Sequence, residues 1–138
     1  MGDKIKVLIV DDATFMVKAI REILESDNEI EVVGSAKNGL EALKLIKELR
    51  PDVITLDVDM PVMDGLKTVR HIMIESPVPV VMLSSLSEHG DITFEAIRLG
   101  VVDFLPNPSG AISQAIHDVR QKGSDRVKIY ASLIMNII

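Results

Sequence analysis

At 138 residues, 47% of them hydrophobic, the chain suits one compact domain with a sizeable core rather than two, and 26% charged residues give no signature of disorder. A formal net charge of −6 lacks the clustered Lys and Arg of a nucleic-acid footprint, and without cysteine nothing indicates an oxidising compartment or a thiolate metal site. The apolar run in MGDKIKVLIVDD is too short for a secretory signal and no stretch reaches the roughly 20 apolar residues of a membrane span, so a cytoplasmic protein is expected.

Short β-branched runs alternate with longer segments of helical periodicity. Strands are expected at Ile5–Val10, Ile30–Gly34, Val53–Leu56, Val80–Leu83 and Val101–Leu105. The first and third are nearly all apolar, as in strands buried on both faces. Between the strands run ATFMVKAIREILES, with Phe15, Ala19, Ile20, Ile23 and Leu24 assigned to one face, then GLEALKLIKELR, GLKTVRHIMIES and GDITFEAIRLG. A fifth helix follows at AISQAIHDVR. This alternation implies a parallel sheet with helices on both faces, because parallel neighbours need crossover connections and these are right-handed. Pro106 ends the last strand and cannot donate to a ladder, which puts that strand at an edge. The order 2-1-3-4-5 of doubly wound sheets meets the requirement. The expected architecture is α/β, a flavodoxin-like (βα)5 three-layer sandwich.

Residues 1–122 account for that domain, and 123–138 read as a linker and C-terminal apolar helix. In VKIYASLIMNII, Lys128, Ser132 and Asn136 fall four apart and leave one narrow polar stripe. A helix so apolar needs cover on nearly every side. Its own domain, a second chain in a dimer, or an effector domain beyond this sequence would supply it.

In an open parallel sheet the residues just past the strand ends gather along one edge, and ligands bind where the strand order reverses. Strand one ends in Asp11 and Asp12, strand three in Asp57 with Asp59 two beyond, strand four in Ser84 and Ser85, and strand five leads to Asn107. With strands one and three adjacent, Asp11, Asp12 and Asp57 share a pocket at the switch point. Three carboxylates so close cannot all stay ionised unaided, since unit charges ~4 Å apart repel by roughly 4 kcal/mol at an effective dielectric of 20. A hard divalent cation removes the difficulty. An all-oxygen set without His or Cys favours Mg²⁺, which keeps several waters and takes one or two protein carboxylates. Asp12 and Asp57 are the expected direct ligands, with the Asp59 backbone carbonyl as a third and Asp11 acting through water. Taken singly, each acid also has an ordinary reading: Asp12 as a helix N-cap, Asp11 as a solvated loop acid. A cation beside an aspartate suits phosphoryl transfer, in which a carboxylate oxygen attacks phosphorus to give an acyl phosphate. Asp57 is the nucleophile in that scheme, and Ser84 donates to the added oxygens.

In their order and spacing VLIVDD, DVITLDVDMPVMDG, PVVMLSS and DFLPNP resemble the receiver domains of bacterial and archaeal two-component response regulators, over roughly residues 4–122. The resemblance implies that Asp57 accepts a phosphoryl group from a sensor histidine kinase and that Asp11, Asp12 and the Asp59 carbonyl hold Mg²⁺. It makes Ser84 the switch hydroxyl and Phe104 the aromatic that changes rotamer with it. Phosphorylation adds charge and acceptor oxygens that can bias a bistable loop. MVKAIREIL, SSLSEHG and VVDFLPNPSGAIS are similar to the N-terminal receivers of chemotaxis protein-glutamate methylesterases, the CheB type, in which the receiver covers a C-terminal hydrolase until phosphorylation relieves it. That implies a methylesterase effector domain in cis and an indirect link to chemoreceptors. The present residues carry no G-x-S-x-G elbow, and His71, His89 and His117 are scattered. Only self-phosphorylation from a phosphodonor is expected of them.

Two positions depart from the family pattern. Asn107 stands where the family carries a lysine that pairs with the phosphoryl group; asparagine can hydrogen-bond but has no charge, so the pocket is one unit more negative and Mg²⁺ matters more. Ala13 stands where many relatives carry serine. Asn107 supports a rival reading, a degenerate receiver acting as a phosphorylation-independent interaction module. A second rival is a haloacid-dehalogenase-type phosphatase, because ITLDVDM is similar to its D-x-D motif, although that motif follows the first strand there and the third here. A flavodoxin is disfavoured, since two aspartates after strand one would repel a phosphate.

Overall fold

The computed structural model describes residues 4–57, 63–83, 103–105 and 112–118. The elements are β1 (Ile5–Val10), α1 (Thr14–Glu25), β2 (Ile30–Ala36), α2 (Gly39–Leu49), β3 (Val53–Asp57), α3 (Gly65–Glu75), β4 (Val80–Leu83) and β5 (Asp103–Leu105), with a further helical segment at 112–118. Neighbouring strands pair in parallel in the order β2-β1-β3-β4-β5. This is the flavodoxin-like order expected from the sequence, with the last strand at an edge. The helix expected at residues 90–100, Pro106 and the tail 123–138 lie outside the described residues.

Alternation across the pleat divides the sheet's side chains between two layers. Leu8, Val10, Ile54 and Leu56 face α2 and α3, where Ile46, Val69 and Ile72 close the layer. Val7, Ile9, Val53 and Val81 face the other way, onto Ile20 and Leu24 of α1 and Ile112 and Ile116 of the segment 112–118. β1 and β3 are therefore covered on both sides, which is why their sequences are nearly continuous apolar runs. Each such side chain, fully buried, contributes roughly 1.5–3 kcal/mol. Among the described residues one buried side-chain polar group is stranded: Thr55 is 1% exposed and its hydroxyl has no hydrogen-bond partner.

The helices start and stop where local chemistry directs. Asn38 accepts the Glu41 N–H at 2.9 Å and Asp64 accepts the Lys67 N–H at 2.9 Å, satisfying orphan donors at the starts of α2 and α3. α2 ends on Arg50 in the left-handed region, φ 49°. A Cβ at Gly39 would run into the Thr68 hydroxyl and the Met63 sulfur, so glycine is what lets the first turn of α2 approach α3. The turn after α1 is fixed by Asp27, whose carboxylate accepts the Glu29 N–H at 2.9 Å and shares a 2.7 Å hydrogen bond with His117 Nε2 of the segment 112–118.

Two expectations are corrected. Phe15 is 73% exposed and does not share the buried face of α1. It precedes Leu24 by nine residues, and at 100° per residue this is half a turn, so the two side chains leave the helix on opposite sides. β2 also continues past Gly34 through Ser35 and Ala36, because these pair with Ile9 and Val10 of β1. A glycine within a strand weakens it without ending it while the neighbouring ladder persists.

Candidate functional site

The strand register builds the site. β1 and β3 pair Val10 with Leu56, so the next residues, Asp11 and Asp57, stand side by side at the same rim of the sheet, and Asp12 follows Asp11 out of the strand. One carboxylate oxygen from each of Asp11, Asp12 and Asp57 lies within 4.8 Å of the others, an arrangement able to hold a metal ion. The three differ in exposure. Asp11 is 4% exposed, Asp57 is half-buried and Asp12 is exposed.

Asp11 is fixed at both ends. Its N–H donates to the Ala36 carbonyl at 3.0 Å, and its Oδ1 accepts the Ala13 N–H at 2.9 Å. Burial pushes its carboxyl above the ordinary value of 3.8; the Ala13 N–H opposes this and the Asp12 charge adds to it. Asp12 does not cap the following helix: the N-cap of α1 is Ala13, without a side-chain hydrogen bond. The ordinary explanation for Asp12 is thus removed, and its carboxylate is left to the cluster.

An all-oxygen, trianionic set suits a hard divalent cation, which would take its ligands from these residues and from water. Three acids held this close gain most from a charge that none of them carries. Asp59, Ser84 and Asn107 lie outside the described residues, and for Phe104 the structure gives the strand position within β5 alone. β3 and β4 pair Asp57 with Leu83, so Ser84 follows directly from the partner of Asp57.

Four residues not singled out from the sequence, Thr14, Val17, Ser35 and Lys37, also border the site. A cleft of about 70 Å³ beside the acids is lined by Asp11, Asp12, Thr14, Val17, Ser35 and Lys37. The signal for Ser35 and Lys37 was the order 2-1-3 itself, which sets the end of β2 against the end of β1. A larger groove, about 560 Å³, runs between α2 and α3 past Leu40, Leu43 and Met63. Three of its polar groups satisfy one another, Lys47 Nζ donating to Glu75 at 3.1 Å and His71 sharing the same carboxylate at 3.3 Å, and it lies on the α2–α3 face away from the acidic cluster.

Comparison with known proteins agrees with this fold. The protein-glutamate methylesterase/protein-glutamine glutaminase of Bacillus licheniformis is 53% identical over 124 residues, covering 89% of this chain and 35% of that protein. The chain thus spans about a third of the length of the curated relatives it matches. The response regulator domain of Thermotoga maritima CheB is 42% identical with a TM-score of 0.72, covering 94% of this chain and 97% of that one. A chain of the CheX-CheY-BeF3-Mg+2 complex from Borrelia burgdorferi is 30% identical with a TM-score of 0.78, covering 86% of this chain and 90% of that one. The family model for the response regulator receiver domain matches residues 7–119. That span leaves almost none of the described fold outside it, and the chain belongs to the response regulator receiver domain family.

Proposed function

We propose that the chain is the phosphoacceptor receiver of a two-component chemotaxis system, taking a phosphoryl group on Asp57 from a sensor histidine kinase in a Mg²⁺-dependent reaction. The observation that carries this is the convergence of Asp11, Asp12 and Asp57 from two adjacent strands to within 4.8 Å. Mg²⁺ supplies neutralisation of charge on the transferring group. Asp57 presents a carboxylate oxygen for in-line attack on phosphorus, and the leaving group departs with the bonding electron pair. Asp11, Asp12 and Asp57 would hold the cation, with the Asp59 carbonyl as a further ligand. The product exchanges one negative charge on Asp57 for about two on the phosphoryl group. Ser84 donates to the new oxygens, Phe104 changes rotamer with it, and Asn107 takes the place of the family's lysine.

Similarity to protein-glutamate methylesterases and to the CheB response regulator domain supports an effector domain of that kind in cis, regulated by the receiver and acting on chemoreceptors. In this reading residues 1–122 are the receiver, 123–138 the linker, and the setting is cytoplasmic; among the described residues no helix is long and apolar enough to cross a membrane. Neither the degenerate receiver nor the haloacid-dehalogenase-type phosphatase gains support from the fold or the comparisons. Acetyl phosphate and Mg²⁺, followed by intact mass, test the proposal. Wild type should gain one phosphoryl group, and Asp57→Asn, or wild type in chelator, should gain none. Equal labelling of Asp57→Asn would remove the nucleophile assignment.

A further inference from the structure

The cleft beside the carboxylates also contains a cation. Lys37 and Ser35 line it together with Asp11, Asp12, Thr14 and Val17. Strand order puts the lysine there: β1 and β2 pair Val10 with Ala36, and the Asp11 N–H donates to the Ala36 carbonyl at 3.0 Å, so the residue after Ala36 emerges beside the two acids. Among the described residues, Lys37 is the only cationic side chain lining the cleft. Its ammonium is a compact charge on a flexible four-carbon stem, free to move over a cleft of about 70 Å³.

We propose that Lys37 is a positioning residue for phosphoryl transfer to Asp57, drawing a dianionic phosphodonor to the rim while opposing the divalent cation held by the same carboxylates. The inference rests on the phosphoacceptor reading above. Lys37 makes and breaks no bond. An Asp57 oxygen forms the new bond to phosphorus, the bond from phosphorus to the acyl oxygen of acetyl phosphate breaks, and acetate leaves with the electron pair. The contribution of Lys37 is a field whose sign differs for the two ligands: one positive charge favours the incoming dianion and disfavours Mg²⁺. Lys37 is exposed, so water and salt weaken this field, and the effects are several-fold rather than orders of magnitude.

The experiment compares wild type with Lys37→Gln, Lys37→Glu and Lys37→Arg, and with Lys44→Glu as a control of matched charge on the α2–α3 groove. Two quantities are measured: the Kd for Mg²⁺ without phosphodonor, and the KM and kcat for labelling by acetyl phosphate at saturating Mg²⁺. In Lys37→Gln, Kd should fall and KM rise, each by roughly two- to fivefold, with kcat unchanged. Lys37→Glu should move both further, Lys37→Arg should match wild type, and about 0.5 M salt should erase the differences. A structural role would not move the two constants in opposite directions. If Lys37→Gln matches wild type in both, or if Lys44→Glu shifts them as much, the role assigned to Lys37 is wrong while the phosphoacceptor reading stands. Wild type that binds Mg²⁺ and takes up no phosphoryl group overturns both.

Discussion

Replacing Asp11 by asparagine separates what the acidic rim costs the fold from what it does for a ligand. The Asp11 oxygen lies within 4.8 Å of those of Asp12 and Asp57. At that separation two unit charges repel by about 0.9 kcal/mol in bulk water and about 3.5 kcal/mol at an effective dielectric of 20. Asp12 is exposed and Asp57 half-buried, so water screens both pairs and the lower part of that range applies. Asparagine keeps an oxygen to accept the Ala13 N–H, 2.9 Å away, so the turn survives while the charge goes. In chelator at neutral pH, Asp11→Asn should be more stable than wild type by about 1–3 kcal/mol, with Tm higher by roughly 3–12 °C.

The pH dependence follows from the direction of the Asp11 shift. Its folded-state value lies above the ordinary 3.8, so the folded state binds the proton more tightly than the unfolded chain, and ionisation costs stability as pH rises from 3.8 through the raised value. The lead of the asparagine variant should be full above that window and vanish below it. Mg²⁺ should reverse the ranking, because a ligand at a hundred times its Kd stabilises by about 2.7 kcal/mol and the variant has lost one of its carboxylates. Thermal melts with and without Mg²⁺ across pH check each step. A variant less stable than wild type in chelator at neutral pH, or raised in Tm by Mg²⁺ as much as wild type, would refute the reasoning.

Thr55→Val should raise stability by about 1 kcal/mol in denaturant titration, since it removes a buried hydroxyl that has no partner. Gly39→Ala should lower stability by about 1–3 kcal/mol, because the added methyl meets the Thr68 hydroxyl and Met63; an unchanged midpoint would show that α2 and α3 separate easily. The Glu29 N–H first, then the hydrogen bond from His117, hold the Asp27 carboxyl below its ordinary 3.8. Its contribution is therefore present above 3.8 and lost as pH falls through the lowered folded value, so the deficit of Asp27→Asn in acid melts should shrink towards zero over that window.

The strands are legible in the sequence because two-sided burial leaves an uninterrupted apolar run, as in β1 and β3, and the expected bounds of β1 and β4 match those observed. The described part of the fifth strand, Asp103–Leu105, falls within the expected Val101–Leu105. What misleads is any feature set by neighbours rather than by the segment itself. Gly34 reads as an end of β2, yet the β1 ladder carries the strand to Ala36. Phe15 is apolar and joins the helical pattern, but a helix has room for only one face against the sheet, and Ile20 and Leu24 occupy it. Asp12 has the composition and position of an N-cap, and Ala13 holds that position instead.

The same distinction divides the site. Asp11, Asp12 and Asp57 are readable because each sits at the end of a strand whose partner follows from the fold class, and like charges gathered there are costly without a counter-ion. Lys37 follows from the same adjacency, read one strand further out, but a single exposed lysine carries no chemical signal until the strand beside it is known to end in two acids. Three carboxylates raise the field at the rim, and that field gives an ordinary surface lysine a position that matters. The acids attract the cation and repel the phosphodonor, whereas Lys37 does the reverse. A receiver must bind both at one rim, so the separation of these two charges across a cleft of about 70 Å³, rather than the identity of either residue alone, is what the order β2-β1-β3 provides.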